Sequence, residues 1–320
     1  MQSPGDAAAE AVLRGDLRAA SRLISRIESG DDSVCAALQL LYAKGGAASV
    51  IGITGPPGAG KSTLTDQLIA RYRAQGLRVA VLAVDPSSVR TGGAILGDRL
   101  RMGRHNTDSG VFIRSMAARG QLGGLSAATG DALVVLDALR FDRILVETVG
   151  VGQGEIDIVT HADTVIIVQT PLGGDTVQAM KAGLLETGDV WVVNKVDAPA
   201  ADRTVTALRE SLEFRCRGLG PQQWRPPIVK TQAVRGEGIE TLWESVEAHR
   251  MHLLAHPEER ETQRRQRTRV LLIERIAEAL RGRYRTVREG NEPFERMLDE
   301  VLARHSDPRT AVARWLRQQE

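Results

Sequence analysis

The sequence predicts an α/β fold in which a mostly parallel sheet is flanked by helices. Two observations carry that prediction. From Ser49 to about Ser245, short apolar runs alternate with helical stretches: "SVIGIT", "RVAVLAVD", "VFIRSM", "RILVET", "TVIIVQT", "VWVVNK" and "PIVKTQA". Most are continuously apolar, the pattern of strands covered on both faces. Polar residues also gather at the C-terminal end of each run, at Thr54, Asp85, Glu147, Thr170, Asn194 and Thr231. In open α/β sheets this is the edge that binds ligands. With 42% hydrophobic residues in 320, the chain can bury one large core plus smaller attachments, and with 3% aromatics that core must be mainly aliphatic.

Three zones follow from the patterning. Residues 1–46 read as a helical extension: Ala11, Val12, Leu17, Ala20, Leu23, Ile24 and Ile27 fall at helical spacing. Gly30-Asp31-Asp32 breaks the run, and a second short helix, Val34 to Tyr42, stops at Gly45-Gly46. Residues 47–245 form the sheet domain. Residues 246–320 are highly charged and helical, with Pro257, Pro293 and Pro308 dividing them into segments. Within "RRQRTRVLLIERIAEAL" the charged face suits water, while Val270, Leu271, Ile273, Ile276, Ala277 and Leu280 offer a face for dimerisation or docking.

Composition narrows the function classes. Lys and Arg total 42 against 40 Asp and Glu, so no net field favours nucleic acid. The arginines of "RRQRTR" lack an aromatic stacking platform, which argues the same way. Cys35 and Cys216 are far apart and form no metal or redox motif, which fits a reducing cytoplasm. The N-terminal stretch has no apolar h-region, so no signal peptide is expected. No window approaches 18 consecutive apolar residues, so no membrane span is expected.

The stretch Gly55-Pro56-Pro57-Gly58-Ala59-Gly60-Lys61-Ser62 fits G-x-x-x-x-G-K-[ST], between the strand "SVIGIT" and the helix that carries Ser62 and Thr63. Glycines let the backbone curl so that successive N–H groups point at phosphate oxygens. The helix N-terminus adds partial positive charge. Lys61 is expected to bridge the β- and γ-phosphates and Ser62 to reach Mg²⁺. Asp85 and Glu147 at strand ends, and Asp98 further along, are candidate Mg²⁺ ligands, directly or through water; for Asp98 a place on a helix surface is the competing reading. Gly150 and Gly152 can bring backbone N–H groups to the γ-phosphate, and Gln153 can orient the attacking water.

The strand "VWVVNKVD" ends in Asn194-Lys195-Val196-Asp197, which matches N-K-x-D, a guanine reader. A carboxylate at Asp197 can accept both the ring N–H and the exocyclic amine of guanine, and adenine offers neither there. Asn194 binds the base edge or ties this loop to the phosphate loop, and the Lys195 stem covers the base face. A second base loop is expected at Gln232-Ala233-Val234, with the Ala233 N–H facing the guanine carbonyl. GTP or GDP with Mg²⁺ is therefore the expected ligand.

On these residues the chain is similar to the MeaB/ArgK family. The resemblance runs through "GDLRAASRLISRIES", "GITGPPGAGKSTL", "VAVLAVDPSSVRTGGAILGDRLRM", "VFIRSMAARGQLGGLSAAT", "ILVETVGVGQGE", "GGDTVQAMKAGLLE" and "VVNKVD". It implies a homodimeric P-loop GTPase of the SIMIBI class. Members act as chaperones of adenosylcobalamin-dependent methylmalonyl-CoA mutase and related acyl-CoA mutases. They gate cobalamin loading with GTP hydrolysis and help replace damaged cofactor. Carried across by motif, Asp85 and Asp98 fall in the Mg²⁺ and switch I region, and Glu147 and Gln153 in switch II. Gly173, Gly174, Asp175 and Gln178 fall in a further switch that couples the nucleotide to the mutase, with Lys181 a candidate contact. Family members often read P-G-x-G-D where this chain has "PLGGD", and Thr-Ser-Ala where it has Thr231-Gln232-Ala233.

Two alternatives share the fold. A nickel-type metal-centre insertase draws on His249, His252 and His256, at i, i+3 and i+7 on one helical face. No cysteine or carboxylate obviously completes that set. A P-loop kinase of a transport protein needs an ATP site, against which the NKVD motif argues.

Overall fold

Strand β1 (Ser49–Thr54) runs up the middle of a seven-stranded sheet in the computed structural model, which describes residues 4–86, 102–105, 107–118, 127–148, 158–171, 182–220, 222–284 and 292–317. Its companions are β2 (Val79–Pro86), β3 (Val111–Ala118), β4 (Arg143–Thr148), β5 (Thr164–Gln169), β6 (Val190–Asn194) and β7 (Ile228–Thr231). The order is β3-β2-β4-β1-β5-β6-β7, with every described pairing parallel. All seven C-terminal ends therefore lie along one edge. The polar residues that end the apolar runs are collected there because the sheet is parallel, not because they are near in sequence.

The continuous apolar runs are explained by two cores, one on each face. In β2, Ala80, Leu82 and Val84 enter one cluster, while Val79 and Val81 enter the other. This is the two-residue period of a strand buried on both sides. One face is covered by α1 (Pro4–Leu13), α2 (Leu17–Glu28), α3 (Cys35–Tyr42), α5 (Ala127–Ala138) and α7 (Ala201–Arg215). The N-terminal helices share that core: Leu23, Ile24 and Leu41 join Phe112, Leu136 and Ile144 in one cluster. Helix α2 starts where Asp16 accepts from the N–H groups of Arg18 (2.8 Å) and Ala19 (3.0 Å), satisfying two of its orphan donors.

The other face is covered by α4 (Lys61–Ala74) and α8 (Ile239–Ala255). Helix α8 passes residue 245 unbroken and buries Leu242, Val246, His249 and Leu253. It is tied to the start of β4 by a bidentate pair: Arg143 Nε to Glu247 Oε1 at 3.0 Å and Nη2 to Oε2 at 2.9 Å. A paired guanidinium fork is the arrangement that tolerates such burial. The short helix α6 (Ala182–Thr187) precedes β6.

The chain divides into compact units at residues 1–267 and 268–320. Helix α9 (Pro257–Tyr284) runs through the division. In the second unit, α10 (Glu292–Leu302) packs on α11 (Pro308–Arg317), and an Arg314–Glu300 pair joins them. Pro257 and Pro308 are the first residues of their helices, where a missing N–H costs nothing. In this unit Leu272, Ile273, Ile276 and Leu280 of α9 are exposed. Among the described residues no helix is long and apolar enough to cross a membrane.

Candidate nucleotide-binding site

The loop after β1 has the shape its glycines allow. Gly55, Gly58 and Gly60 have φ of +138°, +71° and +95°, in the region that favours glycine. A Cβ on Gly55 would collide with the Val168 carbonyl of β5, and one on Gly60 with the Asn194 amide. Gly60 is the N-cap of α4 and offers no side-chain cap, so the partial positive charge of that helix start lies at the phosphate loop. Lys61 is nearly buried, and its Nζ donates to Gly55 O (2.8 Å) and Pro56 O (3.0 Å). The ammonium is thereby held across the loop. Ala59 is buried and Thr63 half-buried, while Pro57 and Gly58 are exposed at the loop tip.

Near the C-terminal end of β4, facing α4, is Glu147, the one expected strand-end Mg²⁺ ligand whose side chain falls among the described residues. Ser62 Oγ donates to Glu147 Oε1 at 2.5 Å, and Thr65 Oγ1 lies 2.8 Å from Oε2. Glu147 is buried, level with Ile53 of β1 and Ala83 of β2. Beside it Thr148 Oγ1 bonds Thr54 Oγ1 at 3.0 Å. Asp85 stands two residues beyond Ala83 on the same edge, opposite Ala117 of β3; its side chain is outside the described set. Asp98, Gln153, Gly173, Gly174, Asp175, Gln178 and Lys181 also lie outside the described residues. Among the described residues no group of three or more His, Cys, Asp or Glu side chains could hold a metal ion. A nucleotide-borne Mg²⁺ does not ask for one, since phosphates and water fill most of its positions. The hard-oxygen pair Ser62–Glu147, beside the phosphate loop, fits that ion.

On the base side Asn194 is the joint of the site. Its Nδ2 donates to Ala59 O of the phosphate loop (2.8 Å). Its Oδ1 accepts from Thr231 Oγ1 (3.1 Å) and from Ala233 N (3.1 Å). Of the two roles the sequence leaves open for Asn194, the structure displays the tie to the phosphate loop. The Ala233 N–H, expected to face a guanine carbonyl, is engaged by Asn194, so a base reaches it only by sharing that bond. Gln67 Nε2 adds a second tie from α4 to Ala233 O at 3.2 Å. Gln232 pairs with Glu237 in an isolated bridge that shapes the turn, and Val234 is exposed. Lys195 adopts φ +60°, unusual for a side-chain-bearing residue. It turns the chain so that Lys195 and Asp197 are both exposed beyond the strand end.

Thr65 and Gln67 are the residues that sequence reasoning did not place in the site; Thr231, read only as part of the ligand-binding edge, turns out to bond Asn194. For Thr65 the available signal was its position three residues after Ser62, on the same helical face. The Asn194 clasp gives a direct test. Asn194→Ala leaves an amide N–H, a carbonyl and a hydroxyl without their buried partner, which costs about 2–4 kcal/mol. Calorimetric unfolding is expected to show the loss, together with weaker nucleotide binding. An unchanged melting temperature would contradict it.

The histidines of α8 are committed elsewhere. His249 Nδ1 is 2.9 Å from Thr164 Oγ1, His252 Nε2 is 3.0 Å from Glu259 Oε2, and His256 Nδ1 is 2.8 Å from His252 O. Their rings form a column, with Trp224 4.8 Å from His249 and 5.4 Å from His252. Burial holds His249 neutral by pushing its pKa down to about 3, and burial pushes the neighbouring Asp189 up to about 7. Of the row only His249 is buried against the sheet, while His252 and His256 are half-buried and bond to Glu259 and to the end of α8.

A glycine-bent phosphate loop on the central parallel strand, clasped to a guanine-type motif two strands away, sets the protein in the class of P-loop GTPases. Within that class the chain belongs to the MeaB family, described as methylmalonyl-CoA mutase-associated GTPases; the match covers residues 20–289. A protein of Pyrococcus horikoshii, named provisionally as a GTPase, is 46% identical over 97% of this chain and 96% of its own length. The fused isobutyryl-CoA mutase of Cupriavidus metallidurans is 38% identical over 74% of this chain, which corresponds to 22% of that longer protein. A crystal structure described as a LAO/AO transport system kinase superposes with a TM-score of 0.70 at 25% identity, over 98% of this chain and 97% of that one. Family membership implies guanine nucleotide binding.

Proposed function

We propose that the protein is a GTPase switch that docks on a cobalamin-dependent acyl-CoA mutase and uses GTP binding and hydrolysis to gate cobalamin loading and the protection or replacement of the cofactor. The observation that carries this reading is the Asn194 clasp, which joins the phosphate loop to both base loops. Read with the family match and with a relative fused to a mutase, it supports a nucleotide state that is passed to a partner.

In this reading the N–H groups at the start of α4 and the Lys61 ammonium hold the phosphates. Asp197 reads the base and Lys195 covers it. Ser62 and Glu147, with Asp85 and Asp98, hold the cation. When bound, Mg²⁺ supplies charge neutralisation at the β- and γ-oxygens. Gln153 orients the attacking water, and Gly173, Gly174, Asp175, Gln178 and Lys181 couple the nucleotide state to the mutase. The exposed apolar face of α9 is the homodimer contact, and the compartment is the cytoplasm.

The deciding experiment is a GTPase assay with and without purified cobalamin-dependent mutases acting on methylmalonyl-CoA or isobutyryl-CoA. Stimulation by one of them is the expected result, with ATP a poor substrate throughout. Equal rates with every mutase would remove the chaperone reading. Preferential use of ATP would favour the transport-protein kinase instead.

A further inference from the structure

The Glu147 carboxylate has two oxygens, and α4 meets each with a hydroxyl. Ser62 Oγ lies 2.5 Å from Oε1 and Thr65 Oγ1 lies 2.8 Å from Oε2. Three residues apart, Ser62 and Thr65 share one face at the start of the helix. Thr65 is fully buried and Glu147 almost so. Thr65 Oγ1 is also 3.0 Å from Lys61 O, the bond a helical threonine makes to its own backbone. A hydroxyl carries one proton. A carboxylate only accepts, so a Thr65 lone pair at 2.8 Å from it would be repelled. The hydroxyl therefore donates chiefly to Glu147, the closer and charged acceptor, with the backbone carbonyl at 3.0 Å the weaker one.

We propose that Thr65 is a positioning residue that acts on the cation site through Glu147. The terminal torsion of a glutamate is broad and roughly two-fold, so a hydrogen bond at each oxygen restrains the plane of the carboxylate more than a bond at Oε1 by itself. Thr65 supplies the charge-assisted bond at Oε2. With the plane restrained, Oε1 goes on accepting the Ser62 hydroxyl's hydrogen bond. The Ser62 oxygen then presents its lone pairs to the cation. This role rests on the reading of Ser62 and Glu147 as the cation side of a nucleotide site.

The test uses Thr65→Val, which keeps the shape and removes the hydroxyl, and Thr65→Ser, which keeps the hydroxyl. Mn²⁺ binding to the full-length protein–GDP complex is read by electron paramagnetic resonance, with thermal unfolding measured in parallel. Thr65→Val is expected to weaken Mn²⁺ binding about tenfold, the effect of one charge-assisted hydrogen bond, while Thr65→Ser stays within about twofold of wild type. The preference for GDP over ADP should be unmoved in both. Should the valine protein not fold, Thr65→Ala, which leaves room for a water, is expected to show a smaller weakening in the same direction. Equal Mn²⁺ affinity in all variants overturns the role, as does a valine variant that loses only thermal stability. If wild type itself binds GDP without binding Mn²⁺, the reading of the cation site fails and this role with it; wild-type binding with unaffected variants sinks this role alone.

Discussion

Exchange of Lys61 for alanine is expected to abolish GTP turnover. The side chain is almost fully buried and its ammonium is suspended between two carbonyls of the phosphate loop. It is thus in place before nucleotide arrives, and no reorganisation is needed when charge develops on the γ-phosphoryl oxygens. Removing one such preorganised charge from a water-poor site costs on the order of 10²–10³ in rate, and more where the group also holds the ground-state phosphates. The measurement is single-turnover phosphate release at saturating GTP, with a melting curve to show that the loop still folds. Turnover within tenfold of wild type would take Lys61 out of the chemistry.

Asp197→Ala is expected to cost GTP about 10²–10⁴ in affinity, from two hydrogen bonds to a charged acceptor at about 1.5–3 kcal/mol each. Asp197 is exposed beyond the end of β6, so its loss should leave the fold alone, within about 0.5 kcal/mol. That separates it from Asn194, whose removal strikes both the fold and the ligand. Titration with GTP and ATP side by side is the check. If the ratio of the two affinities survives the substitution, Asp197 does not read the base.

Much of the molecule is legible in its sequence because the signals are local. Each of the seven apolar runs becomes a strand, and in the inner strands β4, β5 and β6 burial on both faces demands apolar residues at consecutive positions. The phosphate loop is equally readable, because the glycines that its curvature requires sit within six residues. The prolines that divide the C-terminal region open helices instead of breaking them: Pro257 and Pro308 are first residues, a position compatible with proline in any helix. The histidine row shows the limit of such reading. Spacing alone places three rings on one face, and says nothing of the threonine, glutamate and backbone carbonyl that occupy them.

The strand runs, the phosphate loop and the NKVD turn were determined by the sequence alone, because each depends on backbone geometry and burial over a few adjacent residues. Only the tertiary structure decided which side chains work together across the edge of the sheet. Ser62 finds Glu147 across 85 positions and Asn194 finds Ala59 across 135. Hydrogen bonds of that range leave no periodicity in the chain; they exist because parallel strands bring distant C-terminal ends to one edge, where a buried polar group must find a partner.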